Sequence, residues 1–226
     1  QFQKYLPINL FQVNKKNVSF QRNFGAKKAR GDYLIFLDAD CEVFPTFIKT
    51  LKKNIMKKKG LFFIPYLLPE RGYKKYLAIF NFINLIIELT QSLNKPFSAG
   101  GFMIIEKHFF KLLGGFDEQL FISEDHDLVY QASQWGVKAK PLSKVKIRVS
   151  LRRLKKEGGL KLFYKFSIAS TKYLFGEKIK NKIFDYEMGG QIYQDVDDKK
   201  NKKKIFEEYL YRARKAFKSL IREIKS

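Results

Sequence analysis

The sequence predicts an α/β fold, a mixed and mainly parallel sheet flanked by helices, followed by a basic helical C-terminal extension. Three observations carry this. Tyr33-Leu34-Ile35-Phe36-Leu37 is an unbroken apolar run, as expected of a strand buried on both faces. Strand-like and helix-like segments then alternate up to about residue 149. Beyond residue 150 the chain turns amphipathic and basic. The expected domains are therefore 1–150 and 151–226.

The elements follow in order. Ile8, Leu10, Phe11 and Val13 suggest a short strand ending at Asn14. Ser19 is placed to cap a helix running to about Ala29, with Gly31 as its stop. The apolar strand at 33–37 ends abruptly in Asp38-Ala39-Asp40. Phe47, Ile48, Leu51 and Ile55 have helical spacing within a helix from about Pro45 to Lys58. Leu61–Tyr66 reads as the next strand. Residues 73–93 are a long helical pattern on which Asn81, Asn84, Glu88 and Gln91 share one stripe of an otherwise apolar cylinder. Two readings fit it: a buried core helix, or a helix lying against membrane or a lipid-linked substrate. Ser98–Ile105 is a glycine-led strand and Lys107–Leu113 a helix. Gly114-Gly115-Phe116-Asp117 is a turn. Ser123 or Glu124 opens a helix to about Trp135 that Gly136 stops, and Val145–Val149 is a last strand. Further on, 160–175 and 203–224 read as basic amphipathic helices, separated by a charged linker at Asp195–Lys204.

Composition bounds the function. The 226 residues are 45% hydrophobic and 16% aromatic, enough for a sizeable core. A single cysteine, Cys41, excludes an intramolecular disulfide framework and a cysteine-rich zinc site. Two histidines, His108 and His126, make a histidine metal cluster improbable. This usage suits a reducing, cytoplasmic setting, and no apolar run reaches the roughly 18–20 residues of a membrane span. Net charge is +23, and the excess is spread out: residues 1–150 carry 24 basic and 12 acidic side chains, residues 151–226 carry 21 and 10. Such a surface attracts nucleotide phosphates, anionic lipid or nucleic acid.

Four motifs carry chemistry. Asp38 and Asp40 stand at positions i and i+2 at the end of a buried strand, where they share a face and converge on one spot. Ligands of open α/β sheets sit beyond the strands' carboxyl ends, and two hard oxygen ligands there suit Mg²⁺ or Mn²⁺ holding a diphosphate. Chance occurrence of acids in a turn is the competing reading. Arg22-Asn23, in a helix just before that strand, fits phosphate or nucleobase binding or a solvated basic face. Glu124-Asp125 fits either helix-dipole stabilisation or a general base. His126, next to them, reads as a surface or packing residue. Gly100-Gly101 and Gly114-Gly115 allow close backbone approach or tight turns.

The order of these motifs is more specific than any one of them. RNFGAKKARGDYLIFLDADCE (Arg22–Glu42), SAGGFMIIEKHFFKLLGGFDEQL (Ser98–Leu120) and SEDHDL (Ser123–Leu128) together resemble the family 2 glycosyltransferases over roughly residues 8–140. The resemblance implies a GT-A-like, Rossmann-like fold and transfer of a sugar from a nucleotide-sugar donor to an acceptor hydroxyl, with inversion at the anomeric carbon. It implies that Asp38 and Asp40 engage a divalent metal, Mg²⁺ or Mn²⁺, and that Asp38 also meets the donor. Arg22 and Asn23 then belong to the donor pocket, with Gly100 and Gly101 beside donor sugar and acceptor. Asp125 is the expected catalytic base, with Glu124 in reserve, and the Gly-Gly-Phe-Asp-Glu turn is structural. Such enzymes normally begin with a strand, a helix and a second strand ending in an Asp-Asp-Gly-Ser-like nucleotide-binding element. The sequence opens after that point, so the chain is expected to lack part of the nucleotide-binding half. Gln131–Trp135 reads QASQW and not Gln-x-x-Arg-Trp, which disfavours a processive polymerase.

The acceptor is expected to be a glycan or lipid-linked molecule, with peripheral contact to anionic membrane at its inner face. Ile205, Phe206, Leu210, Phe217 and Ile221 on one side of the 203–224 helix, with the lysines and arginines around them, would serve that contact. The competing class is a non-enzymatic basic protein binding anionic membrane or nucleic acid. Its support is charge alone, no nucleic-acid-binding signature accompanies it, and no specific nucleic acid is expected.

Overall fold

The computed structural model describes residues 8–93, 96–98, 100–157 and 178–180. The chain divides into two compact units, Gln1–Val149 and Ser150–Ser226.

The first unit is built on a five-stranded sheet. In chain order its elements are α1 (Val18–Lys28), β1 (Tyr33–Phe36), β2 (Cys41–Val43), α2 (Phe47–Lys58), β3 (Phe62–Pro69), a 3₁₀ turn (Lys74–Tyr76), α3 (Leu77–Thr90), β4 (Met103–Glu106), α4 (Lys107–Leu112), α5 (Glu124–Gln134) and β5 (Lys140–Val149). The spatial order is β1-β4-β3-β5-β2. β3 runs parallel to β5, whereas β1–β4, β3–β4 and β2–β5 are antiparallel. The α/β class and mixed sheet stand, but "mainly parallel" is corrected. A strand buried on both faces presents the same apolar run whichever way its neighbours point, so β1 gave no sign of its antiparallel partner.

One face of the sheet packs against α1, α4 and α5. Leu34 and Phe36 of β1, Phe62 and Ile64 of β3, and Met103 and Ile105 of β4 meet Phe109, Phe110, Leu128, Val129 and Ala132 there. Phe36, Phe110 and Phe116 are in mutual ring contact, with centroids 5.0–5.6 Å apart. α2 lies against β5. Pro65 is fully buried within β3 and has no N–H to give to the ladder, and the β3–β5 register shifts between Pro65 and Tyr66.

Some expectations shift. Residues 8–14 form no strand: Ile8, Leu10 and Phe11 are exposed and meet no sheet edge among the described residues. α1 is capped by Asn17, whose Oδ1 accepts from Phe20 N–H at 2.7 Å, and not by Ser19, which is buried in the first turn. The helix ends at Lys28, three residues before Gly31. β3 and β5 are longer than expected, and β4 starts at Met103, well after Ser98. β2 had no sequence signal; its three residues pair with Ile147–Val149, far along the chain.

α3 is buried along one side only, so the wholly buried reading of residues 73–93 holds for Phe80, Asn84 and Ile87 and fails for Ile79, Phe82, Leu85 and Leu89. Two residues of its polar stripe, Asn84 and Gln91, face inward, whereas Asn81 and Glu88 are exposed. Asn84 is buried, its Oδ1 accepting from Leu67 N–H and its Nδ2 donating to Leu67 C=O, both at 2.9 Å. β3 pairs with β4 only at Phe62 and Phe63, so Asn84 takes up backbone groups that no strand reaches on that side. Tyr66 Oη donates to Glu88, which with burial pushes the phenol up to about 12. Buried Gln91 donates to the carbonyls of Ile87 and Phe97 at 2.9 and 2.8 Å.

In the second unit, α6 covers Arg152–Glu157 and begins with Ser150 Oγ accepting from Arg152 N–H at 3.2 Å. The helices expected at 160–175 and 203–224, and the linker at 195–204, lie outside the described residues.

Candidate active site

β1 stops at Phe36, where antiparallel β4 begins beside it at Met103. Asp38 and Asp40 therefore lie past the strand, in a turn closed by Cys41 N–H donating to Asp38 C=O at 3.3 Å. The expected strand spacing does not apply to them; the turn holds them instead. Asp38 is half-buried and Asp40 exposed.

Arg22 reaches this turn from the middle of α1. Its Nη2 donates to Asp38 Oδ1 at 2.7 Å and its Nη1 to Glu124 Oε1 at 2.8 Å. The guanidinium lies over the Phe116 ring, 5.4 Å from its centroid, and the side chain is only 12% exposed. A planar fork can hold two carboxylates at once, which a lysine cannot do with the same geometry. Burial alone would lower the Arg22 pKa; Glu124 and Asp38 outweigh it and raise it, so the charge is secure.

Gly101 explains how the arginine gets there. A β-carbon on Gly101 would fall 1.8 Å from Nη2 and 2.2 Å from the central guanidinium carbon of Arg22. Only a residue without a side chain leaves that space. Gly100 has φ +73°, and a β-carbon there would press on the Phe102 ring.

Asn23 is spent on structure. Its Nδ2 donates to Phe116 C=O and to Glu118 Oε1, and its Oδ1 accepts from Phe116 N–H. It ties α1 to the turn containing Gly115, whose φ is +80° and whose missing β-carbon would meet Asn23 Oδ1 at 2.7 Å. Asn23 thus seats Phe116 under Arg22.

Glu124 and Asp125 open α5. Ser123, just before them, is in the left-handed region (φ 71°, ψ 25°), unusual for a residue with a side chain. This bend delivers both carboxylates to the helix N-terminus, where the dipole favours negative charge. Asp125 is buried and Glu124 largely so, their side chains 10% and 15% exposed. Burial raises the Glu124 pKa and neighbouring Asp125 adds to the rise, while Arg22 offsets part of it. Burial would raise Asp125 too, but the charge and hydrogen bonds of His126, then Arg22, more than reverse it and hold Asp125 below the usual carboxylate range.

Sequence reasoning missed His126 as a partner. It is buried, its ring centroid 4.6 Å from that of Phe97, with Nδ1 3.3 Å and its backbone N–H 2.9 Å from Asp125 Oδ1. Adjacency in sequence was the only available signal. The structure thus gathers Arg22, Asp38, Gly101, Glu124 and Asp125 around one guanidinium. Among the described residues, no cluster of three or more His, Cys, Asp or Glu side chains forms a metal cage.

A mixed α/β sheet carrying buried carboxylates on a shared arginine beyond a strand's carboxyl end has the layout of an α/β enzyme domain. The family model for glycosyl transferase family 2 matches residues 2–114, half of the chain, and the chain belongs to that family. Its fold is of the GT-A kind. Among solved structures, one similar to it is the crystal structure of GalNAc-T7 with UDP, GalNAc and Mn²⁺: 16% identity, TM-score 0.45, over 75% of this chain and 43% of that one. The chain thus corresponds to less than half the length of that protein. No curated protein matches the chain.

Proposed function

We propose that the chain transfers a sugar from a nucleotide-sugar donor to an acceptor hydroxyl, with inversion. The observation that carries this is Arg22 held between Asp38 and Glu124 in a chain of this family. One guanidinium links the turn that would meet the donor to the helix start that would hold the base.

Asp125 is the proposed base. Held low, it is ionised at neutral pH, whereas the charge of Glu124 is engaged by Arg22. The acceptor oxygen attacks the anomeric carbon, its proton passes to the Asp125 carboxylate, and the bond to the diphosphate breaks with the electron pair leaving on the nucleoside diphosphate. Arg22 adds positive charge near the departing diphosphate, and Gly100 and Gly101 let donor and arginine approach closely. Asn23 keeps the Arg22 platform in register.

Asp38 and Asp40 offer hard carboxylate oxygens on one turn, a donor set that fits Mg²⁺ or Mn²⁺ when diphosphate and water complete the shell. Such an ion would neutralise the diphosphate leaving group. The acceptor is a glycan or lipid-linked molecule, met on the cytoplasmic side at the inner face of an anionic membrane. Among the described residues no helix is long and apolar enough to cross a membrane.

The test is nucleoside diphosphate release from UDP- and GDP-sugars, with and without Mn²⁺, by the wild type and Arg22→Met. Release that depends on Arg22 supports the reading. No release and no calorimetric binding of any sugar-nucleotide would sink it.

A further inference from the structure

α3 is inside out. Phe80, Asn84, Ile87 and Gln91 form its buried stripe, so two of its polar residues face the protein. At 100° per residue the opposite sector holds Ile79, Phe82, Leu85, Leu89 and, just past the helix, Leu93, exposed by 54%, 62%, 49%, 63% and 58%. No charged or amide side chain falls in that sector; Asn81 and Glu88 lie on its flank. A continuous apolar stripe of this kind marks a contact surface.

We propose that this face of α3 docks the protein on an anionic lipid surface. Three observations select that occupant. Exposed Lys74 and Lys75 stand at the N-terminal end of the stripe, beside Arg71, which is ion-paired with Glu42, and the first turn of α3 carries no acid. Tyr73 and Tyr76 stack there, with the Lys75 ammonium 5.2 Å from the Tyr76 ring centroid; this aromatic and basic pairing suits a headgroup layer. At +23, two copies meeting through this face would bring like charge together, whereas an anionic surface is complementary. Fourteen residues make a helix about 21 Å long, shorter than the roughly 30 Å hydrocarbon core, so it lies along the surface.

The opposite, buried side of the same helix connects to the chemistry. Gln91 holds the Phe97 carbonyl, and the Phe97 ring packs on His126, which binds Asp125. Docking through α3 would hold this domain, with its carboxylates, at the membrane surface. The docking itself does not depend on glycosyl transfer.

The experiment is co-sedimentation of the full chain with vesicles of phosphatidylglycerol and phosphatidylcholine, against phosphatidylcholine alone. The wild type should pellet with the anionic vesicles at low salt and be released by high salt. Phe82→Glu with Leu89→Glu should weaken partition about tenfold or more and leave the thermal midpoint in lipid-free buffer unchanged. Lys74→Glu with Lys75→Glu should abolish the preference for anionic lipid. No wild-type binding, or equal binding by both double variants, would overturn the proposal. So would a fall in lipid-free stability with vesicle binding kept, which means another part of the chain covers the face. A wild-type dimer that the Phe82 and Leu89 substitutions dissociate would assign the face to a second copy instead. Sugar-nucleotide turnover is measured without lipid, so failure here leaves the transferase reading intact, and the reverse also holds.

Discussion

The guanidinium of Arg22 occupies the space a β-carbon on Gly101 would fill, 1.8 Å from Nη2. Gly101→Ala must therefore dislodge Arg22 from both Asp38 and Glu124. Breaking a largely buried charge network should cost about 1–3 kcal/mol. Urea unfolding at neutral pH checks this. A midpoint equal to wild type would mean the arginine can move aside freely.

The two carboxylates at the start of α5 should separate kinetically. Asp125→Asn should slow transfer about 10²–10⁴-fold with donor affinity nearly intact, as loss of a positioned base does. Glu124→Gln releases one arm of Arg22 and should weaken donor binding more than it slows turnover. If Glu124→Gln is the dead variant and Asp125→Asn turns over normally, the roles are exchanged.

The same pair predicts opposite pH dependences of stability. Glu124 is raised in the fold, so its favourable contribution is present below the unfolded value of about 4.3 and is lost as pH rises through the folded value. Asp125 is lowered, so its contribution is present above the unfolded value of about 3.9 and is lost as pH falls through the folded value. Against wild type, Glu124→Gln should gain relative stability as pH rises above about 4.3. The deficit of Asp125→Asn should shrink as the solution is acidified below pH 4. Urea unfolding across that range reads both slopes.

Asp38 and Asp40 should differ in what they support. Asp40 is exposed, so Asp40→Asn should leave stability within about 0.5 kcal/mol and weaken Mn²⁺-dependent donor binding. Asp38→Asn also removes an Arg22 ion pair and should lower stability as well. Calorimetry with a UDP- or GDP-sugar and Mn²⁺, beside a thermal melt, distinguishes them. Unchanged metal-dependent affinity in Asp40→Asn would remove that residue from the metal site.

Asn84→Leu keeps the volume and loses both hydrogen bonds to Leu67. Leaving buried backbone groups unsatisfied should cost about 1–3 kcal/mol each where water cannot reach them. Chemical denaturation gives the value, and a loss below about 0.5 kcal/mol would show that water replaces the amide.

The parts legible in the sequence were those with local signals. The apolar run at 33–37 and the helical spacing of Phe47, Leu51 and Ile55 put β1 and α2 within a residue or two of where they lie. The order of the motifs marked Arg22, Asp38, Glu124 and Asp125, which the fold brings to one guanidinium. The rest depended on distant partners. β2 exists because β5 arrives beside it a hundred residues later. α3 had the right period, but which side it buries was not legible, because the groups that attract Asn84 are backbone atoms of another element. The clearance at Gly101 was invisible until Arg22 was seen passing it.

Asn84 has a consequence beyond its own two bonds. Unpaired strand borders recruit other strands, and soluble proteins commonly shield them with charge, proline or a covering helix. Here one side-chain amide copies the donor–acceptor pattern of a neighbouring strand at Leu67 and so terminates the ladder. Its removal would do more than loosen α3. It would uncover a short template for intermolecular β-pairing, and the variant's first visible defect could be fibrous or amorphous deposition on storage.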